Sequence, residues 1–397
     1  MADYAAGAPD RSMQLPLWPA IDQRLVWVLL VAAALGLVMV ASASTSVAEQ
    51  AAGDPLYYLK RQALFVSMGI GAAVVALRVP LSTWERLGPG LMLAALALLL
   101  AVLIPGVGRE VNGAVRWLPV GMFNLQVAEP VKVLIALYLA GFLVRRQEQL
   151  QVSTAAFLVP VTVAGGCAFL LLRQPDFGTA LMLMALTLGL LFLAGVPLWR
   201  FLALVGGLVA VATALVVYSP YRWQRVTAFM DPWSDPFNSG FQLTQSLIAI
   251  GRGEWLGVGL GGSVQKLFYL PEAHTDFVFS VLAEELGLLG VTVVVMLFAY
   301  IVWRSMRVGW ECHRYRLPFA GYLAWAVGLA LALQAFINMG VATGLLPTKG
   351  LTLPLFSYGG SSALATGAMA GLLLRCGYEL AQVRAEGRRP ADEEERA

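Results

Sequence analysis

The chain of 397 residues is 59% hydrophobic and only 13% charged, with a mean hydropathy of +0.73. Soluble domains are near half apolar and a quarter charged, so this composition excludes an ordinary soluble fold and points to a polytopic membrane protein. The net charge of +3 is small, and the basic residues follow the loops instead of gathering on one face, which speaks against nucleic acid as a partner.

Hydropathy places ten candidate spans at 25–43, 62–77, 87–104, 127–144, 155–172, 177–196, 201–218, 277–302, 319–342 and 358–380. Each has about the length a helix needs to cross the hydrocarbon, and a helix satisfies its own backbone polar groups there. The expected fold is therefore an all-α polytopic membrane protein of about ten transmembrane helices. Residues 1–24 form a cytoplasmic segment, 25–380 the membrane domain and 381–397 a charged cytoplasmic tail. The first run ends in Ala41, Ser42 and Ala43, which imitates a signal-peptidase site. Its apolar stretch is about twice the usual length of a signal peptide's, so a retained span is expected. Threading the spans alternately collects 16 of the 27 lysines and arginines on the side of the two termini, which makes that side cytoplasmic.

Taken in chain order, the polar residues near these spans are the candidates for chemistry. In NGAVRW at 112–117, Arg116 beside Trp117 could hold a phosphate or snorkel with the tryptophan as an interfacial anchor. Glu129 and Lys132 lie three residues apart in the fourth span and share a helix face. Charges at that depth face the bundle interior and mark a functional path, or tie two helices together as a structural ion pair. In QPDFGT at 174–179, Asp176 is an N-cap of the sixth span or a second acid.

The connection at 219–275 is far longer than two helices need and too apolar for a tether, so it reads as a structured cap on the headgroup layer. Within it, 241–250 has the period of an amphipathic helix, with Asn238 or Ser239 as its cap. The glycine run at 251–262 lacks the Lys-Ser/Thr ending of a phosphate loop and reads as flexible or close-packed backbone. PEAHTDF at 271–277 puts Glu272, His274 and Asp276 at the lip of the eighth span. Burial and a neighbouring carboxylate raise an acid's pKa, as expected of a general base or proton relay. Equally, Thr275 or Asp276 could cap the helix, and His274 by itself reads more simply as a packed imidazole. Glu284 and Glu285, deeper in the same span, must be paired or protonated. Cys167, Cys312 and Cys376 share no loop and no metal-binding spacing.

Arg116, the Glu129–Lys132 pair, Asp176, Arg222, Arg225, Lys266, Glu272, Asp276 and Lys349 all fall at one membrane face. A mixed-charge site there suits a lipid with a charged headgroup.

NGAVRW at 112–117, QPDFGT at 174–179, PEAHTDF at 271–277, NMGVATG at 338–344 and PTKGLTLPLFSYGGSS at 347–362 together resemble the SEDS membrane glycosyltransferases (shape, elongation, division and sporulation). The glycine run and SVQKL at 263–267 are similar to the cell-division branch. The resemblance implies ten helices in the bacterial inner membrane, concentrated at the septum. It also implies polymerisation of lipid II, an undecaprenyl-pyrophosphate-linked disaccharide-pentapeptide, into β-1,4 glycan at the periplasmic face. A class B penicillin-binding protein and other division proteins are the implied partners. The family's essential loop aspartate matches Asp276, its span Glu and Lys match Glu129 and Lys132, and its loop arginine matches Arg116. Asp176, Glu272, His274 and Lys349 are the remaining expected substrate contacts. Two departures stand out: Val127 and Ala128 replace a usual Pro-Ser pair, and Phe268 stands where some members carry Glu.

The expected reaction is a single inverting displacement with Asp276 as general base. Leaving-group charge falls to Arg116, Lys132 or a divalent cation, Mg2+ or Mn2+, with no organic cofactor. The competing readings are a lipid II flippase, with the intramembrane charges along its route, and a non-catalytic division scaffold.

Overall fold

Long apolar runs fold as helices wherever lipid cannot bond the backbone, and here every run found by hydropathy coincides with one. The structure, a computed structural model, describes residues 15–391 except 112, 122, 348 and 349. In chain order it contains α1 (Leu17–Ala20), α2 (Gln23–Ala52), α3 (Tyr57–Arg78), α4 (Leu81–Leu103), β1 (Arg109–Val111), β2 (Ala114–Val120), β3 (Phe123–Gln126) and α5 (Ala128–Val152). Then follow α6 (Thr154–Arg173), α7 (Phe177–Leu193), α8 (Leu198–Val217), α9 (Pro220–Met230), α10 (Phe241–Gly253), α11 (Val278–Arg314), α12 (Pro318–Ala342) and α13 (Gly360–Ala385).

Seven of the described helices, α2, α3, α4, α6, α8, α11 and α12, are long and apolar enough to cross a membrane. Of the other three expected spans, α7 is apolar but has only 17 residues, while α5 and α13 are longer and carry more charge. The described chain is thus mostly helical, but it is not purely α.

Between α4 and α5 the chain forms an antiparallel sheet in the order β1-β2-β3, which hydropathy did not reveal. Its pairing sets Trp117 opposite both Arg109 and Gln126. Gly113 and Gly121 turn the chain between strands with φ of +74 and +58°, a conformation that favours glycine.

Helices pack closely where side chains are small. Gly69 and Ala73 of α3 meet Gly367 and Gly371 of α13, where a β-carbon on Gly367 would stand 2.1 Å from Gly69 O and one on Gly371 2.2 Å from Ala73 O. One apolar core joins α4, α5, α6, α7, α12 and α13. A second gathers α2, the start of α11 and the segment carrying Leu353 and Phe356. In contrast, α8 buries no residue within this chain.

The long connection is structured, as expected, but holds two helices, α9 and α10. Gly240 occupies the N-cap of α10 without a side-chain bond, while Asn238 and Ser239 bond Asp235 at 2.8 Å each, so neither is the cap. All three cysteines are free and buried.

Candidate active site

Asp276 sits in the turn before α11. Phe277 is the N-cap there and no side chain caps the helix, so Asp276 does not spend its carboxylate on the helix end. The turn is tight because Glu272, at φ +57°, offers one carbonyl to the N–H groups of Thr275, Asp276 and Phe277 at 3.1–3.2 Å. From α12, Asn338 Nδ2 donates to Asp276 O at 2.8 Å and to Leu351 O at 2.7 Å, clasping this turn against the segment before α13. Gly350 of that segment stands against the carboxylate.

The Asp276 side chain keeps some accessible surface, yet protein surrounds it closely. Loss of water and the Glu272 carboxylate raise its pKa from the ordinary 3.8; Arg116 pulls it back, Asp176 adds a smaller push, and the result is about 7. Three parts of the sequence therefore meet here, with Arg116, Asp176 and Glu272 all acting on Asp276.

Arg116, on β2, donates through Nε to Gln174 O at 3.0 Å and through Nη2 to Pro175 O at 2.6 Å. Two of its five donors thus dock it onto the turn before α7, and the others bond nothing among the described residues. Asp176 caps α7, accepting from Thr179 N at 3.1 Å and Thr179 Oγ1 at 2.8 Å, and is 5% exposed. It acts on Asp276 through its charge while serving that helix. Glu272 is exposed and accepts from Thr275 Oγ1 at 2.7 Å.

His274 is buried between two aromatics, with ring centroids 4.7 Å from Tyr58 and 5.7 Å from Tyr358. Its carbonyl accepts from Tyr358 N at 2.9 Å, and Nδ1 has no partner among the described residues. Burial lowers its pKa, favouring the neutral imidazole, against the opposing pull of Glu272. Lys349 lies outside the described residues, as do the side chains of Arg222 and Arg225.

Glu129 and Lys132 meet at 2.8 Å, at most 4% exposed. Lys132 also donates to Gln334 Oε1 of α12 at 2.7 Å. Gln334 Nε2 donates to Thr352 O at 2.9 Å, and Thr352 Oγ1 donates to Ser362 Oγ of α13 at 2.9 Å. The pair is thus the head of a buried relay that ties α5 to α12 and α13. Glu129 Oε2 has no partner among the described residues. Gln334, Asn338, Thr352 and Ser362 went unassigned in the sequence; the only signal for most of them was their place in the two motifs at 338–344 and 347–362.

Among the described residues no three His, Cys, Asp or Glu side chains converge to hold a metal ion. The described residues therefore form no all-protein cage for a cation.

The chain is 80% identical over 392 residues to the probable peptidoglycan glycosyltransferase FtsW of Halorhodospira halophila, covering 99% of each. It is 51% identical over 345 residues to the probable peptidoglycan glycosyltransferase FtsW of Pseudomonas fluorescens, covering 87% and 85%. Among solved structures it is similar to a chain from the structural coordination of polymerization and crosslinking by a peptidoglycan synthase complex, with a TM-score of 0.74, 32% identity and coverage of 91% and 98%. The crystal structure of the rod shape determining protein RodA of Thermus thermophilus matches with a TM-score of 0.66, 31% identity and coverage of 91% and 98%. The family profile that matches, described as cell cycle protein, spans residues 23–382, and with these relatives it shows that the chain belongs to the FtsW, RodA and SpoVE family, the SEDS proteins.

Proposed function

We propose that the chain is a peptidoglycan glycosyltransferase that polymerises lipid II into β-1,4 glycan strands for the septal wall. The observation that carries the reading is the Asp276 carboxylate, which accepts no hydrogen bond among the described residues and has its pKa raised to about 7, together with the guanidinium of Arg116, which spends two donors on residues 174 and 175. A base whose pKa lies near the working pH combines a useful ionised fraction with useful basicity.

In the proposed step the 4-hydroxyl of the acceptor's GlcNAc attacks C1 of the donor's MurNAc. Asp276 takes the hydroxyl proton, the new C1–O bond forms with inversion, and the bond from C1 to undecaprenyl pyrophosphate breaks. The pyrophosphate leaves with its electron pair, and Arg116 faces its charge with the donors it does not spend on residues 174 and 175. The Glu129–Lys132 relay joins α5 to α12. A divalent cation, Mg2+ or Mn2+, would have to arrive on the pyrophosphate with few protein ligands.

The ten helical runs would each cross the inner membrane, with both termini cytoplasmic and the Asp276 turn periplasmic. The related peptidoglycan synthase complex supports a class B penicillin-binding protein as partner. A flippase would need an open route past Glu129, Lys132, Glu284 and Glu285; their closed pairing favours the polymerase. The test is polymerisation of purified lipid II by the full chain with its partner, alongside transfer of lipid II across proteoliposomes. Glycan ladders lost in Asp276→Asn support the polymerase; transfer without ladders overturns it.

A further inference from the structure

Helix α11 is broken about a quarter of the way along. At Gly287 the backbone turns to φ 63°, ψ −164°, which separates a short leading half-helix, 278–286, from the rest. The break is filled by the glycine-rich stretch of the long connection. In a regular helix the N–H groups of Leu288 and Leu289 would bond the carbonyls of Glu284 and Glu285. Here they donate instead to Glu254 O at 2.9 Å and Trp255 O at 3.1 Å, while the two glutamate carbonyls accept from Val258 N at 3.0 Å and Gly259 N at 3.1 Å. Four hydrogen bonds thus splice the connection into the helix.

Such contact needs bare backbone on both sides. A β-carbon on Gly253 would stand 1.9 Å from Ala283 O, and one on Gly257 2.1 Å from Glu285 O. This is the work of the glycine run that resembled a nucleotide loop.

The side chains of the same two glutamates return to the same connection. Glu284 accepts from Arg252 Nη1 at 3.1 Å, from Val264 N at 3.1 Å and from Ser263 Oγ. Glu285, fully buried, accepts from Lys266 Nζ at 2.8 Å and from Ser42 Oγ of α2 at 2.7 Å, and Lys266 Nζ also reaches Ser42 Oγ at 2.9 Å. Residues 254–276 and the half-helix therefore form one closed unit, with Asp276 at one end and the two acids at the other. Only Ser42, Glu285 and Lys266 among these polar contacts fasten that unit to α2.

We infer that Lys266 and Glu285, latched to Ser42, are positioning residues that seat the half-helix and so fix where the Asp276 carboxylate stands. The inference rests on the reading of Asp276 as general base. The latch lies about 13 Å from Asp276 at 1.5 Å per residue, so it touches no substrate and acts through a rigid element. A lever of that length converts a small tilt into a displacement of the base, and 1 Å of misplacement can lower a rate about a hundredfold.

Single neutralising changes would strand a buried charge and endanger the fold. The test is therefore the paired variant K266M/E285Q in the full chain, assayed with its partner on purified lipid II. The expected result is a kcat lowered by about tenfold or more, with KM within about twofold and thermal unfolding close to wild type, since the base and not the binding surface has moved. Lys266→Arg, which keeps the charge, should recover most of kcat. Should the paired variant fail to fold, Ser42→Ala carries the same test, because it unfastens the unit from α2 and leaves the ion pair in place. Wild-type kcat in the folded variant, or a loss lying wholly in KM, overturns the latch. Asp276→Asn run alongside separates the two readings: full activity there overturns the base assignment and the latch with it, whereas loss there with an intact latch variant overturns the latch alone.

Discussion

Gly350 and Asp276 are in such close contact that a β-carbon on Gly350 would stand 2.8 Å from Asp276 Oδ2. Asn338 holds the segment carrying Gly350 to the backbone of the Asp276 turn, so the part left to give way is the carboxylate itself. Gly350→Ala should therefore push the carboxylate aside, lowering polymerisation about tenfold or more while thermal unfolding changes by less than about 1 kcal/mol. Rates on purified lipid II beside a melting curve check this; an unaltered rate would show that the carboxylate has another place to go.

A base works in its ionised form, so the rate should climb as pH passes upward through about 7, the pKa of Asp276. Glu272 raises that pKa and Arg116 lowers it. Glu272→Gln should accordingly move the acid limb of the pH–rate profile downward and Arg116→Gln should move it upward. Two shifts in the same direction would contradict the arrangement of charges around Asp276.

The same raised pKa has a consequence for stability. Between 3.8 and about 7 the folded chain holds a proton on Asp276 that the unfolded chain has released, so this group's contribution falls as pH rises through that window. Asp276→Asn removes the ionised form and should raise the melting temperature at pH 8 relative to wild type while abolishing polymerisation. A variant less stable at pH 8 than wild type would run against this.

Lys132 is fully buried and shared between Glu129 and Gln334. Lys132→Met leaves the Glu129 carboxylate buried without its cation and should destabilise the fold by about 3–5 kcal/mol, whereas K132M/E129Q should recover much of that loss. Denaturation in detergent measures both; equal stability of the single and paired variants would mean that water reaches the pair.

Where α13 packs on α3, Gly367→Val would drive side-chain atoms into the backbone of α3 at Gly69. Overpacking of this kind is worth about 1–3 kcal/mol, and the loss should appear in thermal unfolding before any change in lipid II binding.

Much of this protein was legible in the residues alone. Apolar runs near twenty residues long became helices because a chain in lipid has almost no other way to satisfy its backbone, so their positions needed no tertiary information. The motifs around Arg116, Asp176 and Asp276 could be marked as sites, since polar groups at the ends of such runs are costly without a purpose. Even the pairing of Glu129 with Lys132 followed from their spacing on one helix face.

What only the tertiary structure decided is which alternative each residue takes. Asp176 and Asp276 both precede a helix, but Asp176 bonds Thr179 as a cap while Asp276 leaves its helix uncapped and faces Gly350. Sequence is local, and the difference lies in Glu272, Asn338 and Gly350, which reach Asp276 from a turn, another helix and a distant loop. The short sheet carrying Arg116 was hidden because hydropathy averages over windows longer than its strands. The break in α11 was hidden because Gly287 sits inside an apolar run and adopts its turn only where a second glycine stretch fills the gap. Partners for Glu284 and Glu285 could be required in advance but not named, since Arg252, Lys266 and Ser42 are brought to them by packing and not by spacing.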